Sequence, residues 1–278
     1  VVVYSFKGER LAEHSYLVLR LYCGAFGWPH EKLIAGRIGA DPKLVALTMR
    51  AACLLHDVGK ALVDFQRNIE REKGSPFHEV LSACLTYDTL RAALSNAGTV
   101  ARYQLSFAAA YSVLQHHQAM RGIDDVLSKG LGYLSSTECR LHEDLFAEVK
   151  LAAEMATCLL DTSDVLGAFQ QSIERISKSN LREKLQEFIS NFVGILNGQV
   201  PKSIRADKTE EWANAWERLQ LALPLFTAPL QLCDYLAAYV VRGGRLRALH
   251  RETLLMLRNA SRATSETGMC ILGTQHNP

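Results

Sequence analysis

Seven polar side chains sit in stretches of sequence that otherwise look buried. His14 lies in "LAEHSYLVLRLY", His56 and Asp57 in "AACLLHDVGK", and His78 in "SPFHEVLSACL". His116 and His117 end "AAAYSVLQHHQ", and Asp234 lies in "PLQLCDYLAAYVV". A lone histidine on an apolar face is ordinarily a hydrogen-bonded core residue. Five histidines and two aspartates in matching settings call for a shared partner, because an ionised carboxylate is costly to bury alone. That partner should be a cation, since neutral imidazole and carboxylate are good ligands for first-row divalent metals. Seven ligands exceed what one ion with open positions needs. They suit two ions about 3.5–4 Å apart with Asp57 bridging. Adjacent helical residues point about 100° apart, so His56–Asp57 and His116–His117 can each address neighbouring positions around such a pair.

The elements that must position these residues read as helices almost throughout. Apolar periodicity places them at 10–24, 43–58, 76–96, 100–117, 141–162, 178–197, 208–221, 229–242 and 245–260. Ser75 is a candidate N-cap, with Pro76 at the first helical position and Glu79 in the first turn. Thr227 and Pro229 start the eighth helix in a similar way, and Gly243–Gly244 ends it. Loops are expected at 25–42, 60–75, 118–140 and 198–207. Alternating strand patterns are nearly absent, so β structure should be minor. The fold class is therefore all-α, a helical bundle with the metal site between core helices. Residues 1–263 are expected to form one domain, and 264–278 a flexible C-terminal tail.

Composition narrows the function further. The net charge of +2 gives no global field for a nucleic acid, so any polyanion must meet a local patch. Seven cysteines, an odd number without C-x-x-C spacing, argue against a disulfide framework or a zinc ribbon and fit a reducing cytoplasm. The opening "VVVYSFKGER" has no signal-peptide pattern. No apolar run in the sequence approaches the ~20 residues of a membrane span. A cytoplasmic protein without membrane association is expected. H-E-x-x-H, the phosphate-binding loop and the G-x-S-x-G elbow are all missing, which leaves ligands scattered over successive helices.

That scatter is the pattern of the HD superfamily of metal-dependent phosphohydrolases. "LHDVGKALVDFQ" more closely resembles the signature of the HD nuclease of type I CRISPR interference systems, the nuclease part of their helicase–nuclease effector. "FHEVLSA" is similar to that family's His-Glu motif, "HHQ" to its double histidine, "LAEHS" to its N-terminal histidine and "LCDYLAAY" to its late aspartate motif. These motifs span residues 11–239 in the family's order. The resemblance implies a two-metal site in which His14, His56, Asp57 and Asp234 hold one ion, and Asp57, His78, His116 and His117 the other. Manganese, iron, cobalt or nickel suit such imidazole-rich ligation better than magnesium. Lys60 falls on the family's motif lysine, beside the scissile phosphate or the leaving oxygen. Phe77 stands where the family often has arginine, and Gln118 where glycine often follows the double histidine. Both departures bear on substrate contacts rather than on metal binding.

The implied activity is hydrolysis of phosphodiester bonds in single-stranded DNA, with Asp57 and Lys60 as catalytic residues. No helicase motif is present, so the resemblance implies the stand-alone nuclease, with a separate CRISPR helicase and a guide-RNA surveillance complex as partners. Gly59 and Lys60 also read as a helix C-terminus, where a glycine and a cation are both favoured. Phe65 and Gln66 read as packing and a surface amide. Arg242 and Arg245 follow Asp234 closely and are candidates for guiding the phosphates of a strand. Two other classes stay open: a phosphohydrolase of small nucleotides with a closed pocket, and a degenerate domain kept for docking. All the expected ligands are present, which counts against the second.

Overall fold

The structure is a computed structural model that describes residues 2–74, 76–117, 122–136, 140–157, 163–178 and 180–242. It opens on a hairpin, β1 (Tyr4–Phe6) antiparallel to β2 (Glu9–Arg10), turning at Gly8, whose φ of 77° is free of strain for glycine. The helices follow as α1 (Leu11–Ala25), α2 (Gly27–Ile38), α3 (Pro42–Leu55) and α4 (Val63–Glu70). Next come α5 (His78–Ala93), α6 (Thr99–Gln115), α7 (Ile123–Ser136) and α8 (Leu145–Met155). The described chain closes with α9 (Ser163–Lys178), α10 (Leu181–Leu196) and α11 (Thr209–Arg242). The all-α expectation holds, with the hairpin as the named sheet among the described residues.

Several expected loops are helical. Segment 25–42 holds α2, whose Ile34, Ala35 and Ile38 are buried and whose C-terminus is closed by Gly39 at φ 71°. Gly27 opens α2, Gly39 closes it and Pro42 opens α3, so these residues punctuate helix ends. Segment 60–75 holds α4, a short amphipathic helix that turns Phe65 and Ile69 inward. Segment 118–140 holds α7, which buries Val126, Leu127 and Leu134. Residues 163–178, assigned to no helix from the sequence, form α9 on a stripe of Val165, Phe169, Ser172 and Ile176. The expected helix 141–162 is replaced by the shorter α8. Pro76 does not open α5, because Phe77 occupies its N-cap with a left-handed φ of 64°. Ser75, the helix at 245–260, its preceding Gly243–Gly244 and the tail lie outside the described residues.

The segments 208–221 and 229–242 are one helix, not two. Pro224 and Pro229 lie inside α11, where each removes a main-chain hydrogen bond and would cost an isolated helix about 3 kcal/mol. Packing on α6, α1 and α2 keeps α11 continuous. Thr227 is no cap, since its hydroxyl donates to the Leu223 carbonyl at 3.0 Å. The merger also corrects the expectation of no span-length apolar segment. The stretch Ala206–Arg242 is long and apolar enough to cross a membrane by length and composition. Its inner face, however, buries Trp212, Trp216, Phe226 and Asp234, as a core helix does.

One apolar core runs from Val3 to Ala237 and includes Phe65, Phe107, Phe192 and Trp212. α1, α3, α5, α6 and α11 pack on one another within it. Cys53, Cys84 and Cys233 are buried free thiols.

Candidate metal centre

α3 stops at Leu55, three residues before the sequence suggests. His56 caps it, Asp57 leaves helical geometry at φ −109°, ψ 3°, and a 3-10 turn covers Val58–Ala61. Close approach to α5 dictates this turn. A Cβ on Gly59 would lie 2.1 Å from the backbone oxygen of His78, so only glycine fits. The Gly59 N–H donates to Ser82 Oγ at 2.8 Å, which fixes the turn against α5. Asp57 is thereby set beside His78, the first residue of that helix.

The structure brings all seven sequence-predicted ligands together, from α1 (His14), the end of α3 (His56, Asp57), the start of α5 (His78), the end of α6 (His116, His117) and α11 (Asp234). All except the half-exposed His117 are buried. Asp57 stands at the centre. Its Oδ1 lies 3.0 Å from His78 Nε2 and 3.5 Å from His116 Nε2. Its Oδ2 lies 3.4 Å from His14 Nε2 and 3.7 Å from His56 Nε2. Asp234 Oδ1 closes the second group, 3.0 Å from His14 Nε2 and 3.6 Å from His56 Nε2. His117 Nε2 joins the first, 3.2 Å from His78 Nε2. In each group, His14–His56–Asp57–Asp234 and Asp57–His78–His116–His117, one donor atom per residue lies within 4.8 Å of every other.

These groups fit a divalent transition metal. Metal–nitrogen bonds of about 2.1 Å put neighbouring ligand atoms roughly 3.0–3.4 Å apart, close to the spacings here. The tautomers point the same way. His56 Nδ1 faces the Cys53 carbonyl at 2.8 Å and His116 Nδ1 the Val113 carbonyl at 2.5 Å. A carbonyl only accepts, so both Nδ1 atoms carry hydrogen and both neutral rings turn an Nε2 lone pair into the cluster. Among the described residues His116 Nε2 is buried without a hydrogen-bond partner, and His56 Nε2 lies 3.3 Å from His14 Nε2. Lone pairs and carboxylates converging out of water repel one another unless a cation lies between them. The groups can hold metal, with imidazole and carboxylate as its donors.

Without metal, protons and Lys60 answer the charge. Burial alone would lower the His14 pKa, but hydrogen bonds to Asp234 and Glu9 outweigh it and lift the value to about 9. Burial raises the carboxyl pKa values of Asp57 and Asp234. Lys60 and the histidines around Asp57, and His14 and His56 around Asp234, more than reverse that and hold both well below the carboxylate range. Burial pushes His56 and His117 down. His14 therefore stabilises the metal-free fold fully below its unfolded value of 6.5, and that contribution is lost as pH rises through about 9. Asp57 and Asp234 act in the opposite sense, and their contribution is lost only as pH falls below the ordinary carboxylate range. Chelated protein is expected to melt at a lower temperature at pH 9.5 than at pH 6.5. Metal-saturated protein should not, because ligation needs neutral imidazole. Equal melting of the chelated form at both values, in thermal scans at constant salt, would contradict the assignment of His14.

Lys60 is buried, with Nζ 2.6 Å from Asp57 Oδ2. It thus sits where the ligands are, as well as at a turn terminus. Phe65 packs in the core against Tyr133, as its reading as packing implies. Gln66 is not a surface amide. Its Nε2 donates to the Tyr4 and Lys60 carbonyls at 2.9 and 2.7 Å, and its Oε1 accepts the Tyr4 N–H at 2.8 Å, tying β1 to the Lys60 turn. The Arg242 guanidinium donates to Glu9 Oε2 at 2.8 and 2.6 Å and lies over the Phe6 ring. Arg245 and Gln118 lie outside the described residues.

Two contributors went unseen in the sequence. Ser82 reads there as one more small residue of a buried helix. Glu9 belongs to a two-residue strand, and no periodic pattern marks it. In the structure it is buried, and it accepts from His14 Nδ1 at 2.6 Å. Desolvation would raise its pKa, but His14 and Arg242 hold it low.

The all-α chain thus carries two overlapping sets of histidine and aspartate that can hold metal. No protein-family model and no curated protein matches this chain. Among solved structures it is similar to the CRISPR-associated Cas3 HD domain protein from Methanocaldococcus jannaschii. That likeness has 23% identity and a TM-score of 0.44, over 69% of this chain and 97% of the other.

Proposed function

We propose that the chain is a metal-dependent nuclease that hydrolyses phosphodiester bonds of single-stranded DNA in CRISPR interference. It would use two divalent transition-metal ions, and act in the cytoplasm with a separate helicase and a guide-RNA complex. Residues 1–263 would be the nuclease domain. One observation carries the reading: the two oxygens of Asp57 face separate groups of ligands, as a carboxylate shared between two ions must. His14, His56 and Asp234 would complete one ion's ligands, and His78, His116 and His117 the other's. Bound metal would activate water at neutral pH and stabilise charge on the leaving oxygen.

The protein's own residues do the rest. Backbone carbonyls of Cys53 and Val113 fix the tautomers of His56 and His116. Lys60 holds Asp57 Oδ2 and would meet the charge that builds on phosphate. His117, the most exposed of the ligands, marks the side from which a strand would enter. A flexible single strand can thread toward buried ligands, whereas a stiff duplex cannot bend its phosphates into them.

The test compares substrates at equal phosphate concentration with manganese present. Single-stranded DNA and flaps should be cut readily, intact duplex slowly, and nucleoside triphosphates and cyclic nucleotides poorly. Faster turnover of any mononucleotide than of a single-stranded oligomer would overturn the nuclease and favour the small-nucleotide phosphohydrolase.

A further inference from the structure

The hairpin before α1 is held by more than its two strand pairs, Tyr4–Arg10 and Phe6–Glu9. Gln66 clamps Tyr4 of β1 from α4. Arg10 of β2 reaches both oxygens of buried Glu148 on α8, at 3.1 and 3.0 Å, and Glu148 Oε2 also accepts the Ala12 N–H. Between these anchors stands Glu9, with its two oxygens divided. Oε1 accepts from His14 Nδ1 at 2.6 Å, and Oε2 takes both donors of Arg242, from the last turn of α11. The Arg242 guanidinium in turn lies with its carbon 4.3 Å from the Phe6 ring centroid, on the neighbouring strand.

We infer that Glu9 and Arg242 form a positioning pair that fixes His14 as a ligand of one ion only, an inference resting on the two-ion reading. Glu9 is an acceptor at Oε1, so His14 carries hydrogen on Nδ1, and when the ring is neutral for ligation its lone pair lies on Nε2, toward Asp57 and Asp234. A carboxylate behind a ligating imidazole fixes the ring's orientation and raises its basicity. Arg242 supplies what Glu9 needs to stay ionised and oriented while buried. Its planar fork donates twice to one oxygen and stacks on Phe6, a geometry lysine does not reproduce. Arg242, though a third of its side chain stays exposed, is thereby engaged by Glu9 rather than free for a phosphate. The other ion's ligands, His78, His116 and His117, take no hydrogen bond from this pair.

The experiment strips the full chain of metal, titrates it with Mn²⁺, and resolves the affinities of the two sites in wild type, Glu9→Gln, Arg242→Lys and Arg242→Ala. Glutamine keeps the shape of Glu9, but its amide turns a donor toward either His14 or Arg242. Glu9→Gln and Arg242→Ala should weaken one site by about 10- to 100-fold and leave the other unchanged. Arg242→Lys should fall between Arg242→Ala and wild type. Far-UV circular dichroism of the metal-free variants should match wild type; if Arg242→Ala does not fold, the two conservative variants decide. Arg242→Ala should also keep the wild-type salt dependence of single-strand binding. Wild-type affinity at both sites in Glu9→Gln, or equal loss at both, overturns the pair. A wild-type chain that binds no manganese removes the two-ion reading itself, and the pair with it, and is told apart by being seen before any substitution.

Discussion

Asp57→Asn is expected to abolish cleavage, lowering the rate on the order of 10³-fold or more, because the residue serves both ligand groups at once. Asparagine keeps the shape but offers one oxygen and a donor, so one group gains an N–H where it needs a lone pair. Lys60 loses its charged partner at 2.6 Å. The helical fold should survive, since the side chain contributes nothing to the apolar core. What should disappear is the rise in melting temperature on adding metal, because a ligand stabilises only the state that binds it. Cleavage at the wild-type rate, with the same metal-dependent rise in melting temperature, would remove Asp57 from the site.

Gly59→Ala carries the second large effect, and it acts through the backbone. The added Cβ would meet the His78 carbonyl oxygen at 2.1 Å and Ser82 Oγ at 2.9 Å. Ser82 can rotate, but the carbonyl belongs to α5 and cannot. The 3-10 turn must therefore withdraw from α5, taking Asp57 from His78 and breaking the Gly59–Ser82 hydrogen bond. Overpacking of this kind costs about 1–3 kcal/mol. Urea unfolding should show that loss of stability, and activity should fall beyond it because His78 and Asp57 no longer share an ion. A variant as stable and active as wild type would mean that the turn does not set the site.

These two residues also show what the sequence could reveal. Asp57 and its six companions stood out because each is a polar interruption in an apolar helical pattern, which a short window of sequence exposes. Gly59 was visible as a helix terminator, yet its true constraint, the oxygen of His78, lies across the fold. The same limit hid Gln66, which looked like a surface amide because its partners in β1 come sixty-two positions earlier. Glu9 was hidden for the same reason, lying far in sequence from Arg242. Helices α2, α4 and α7 escape the sequence for another reason. Each has a narrow apolar stripe flanked by polar residues, glycine or proline, so composition suggests loop where spacing allows helix, and the α9 segment carries no assignment from the sequence. The prolines of α11 misled in the opposite direction, because tertiary packing overrode a local cost.

The central claim is that two ions, held on either side of Asp57, perform the hydrolysis. The most direct measurement titrates metal-stripped protein with Mn²⁺, counts bound ions by equilibrium dialysis, and follows cleavage of a single-stranded oligonucleotide in the same samples. The expected result is two ions per chain, cleavage that appears as both sites fill, and complete loss in excess EDTA. Undiminished cleavage in excess EDTA, or full activity with no bound metal, would contradict it.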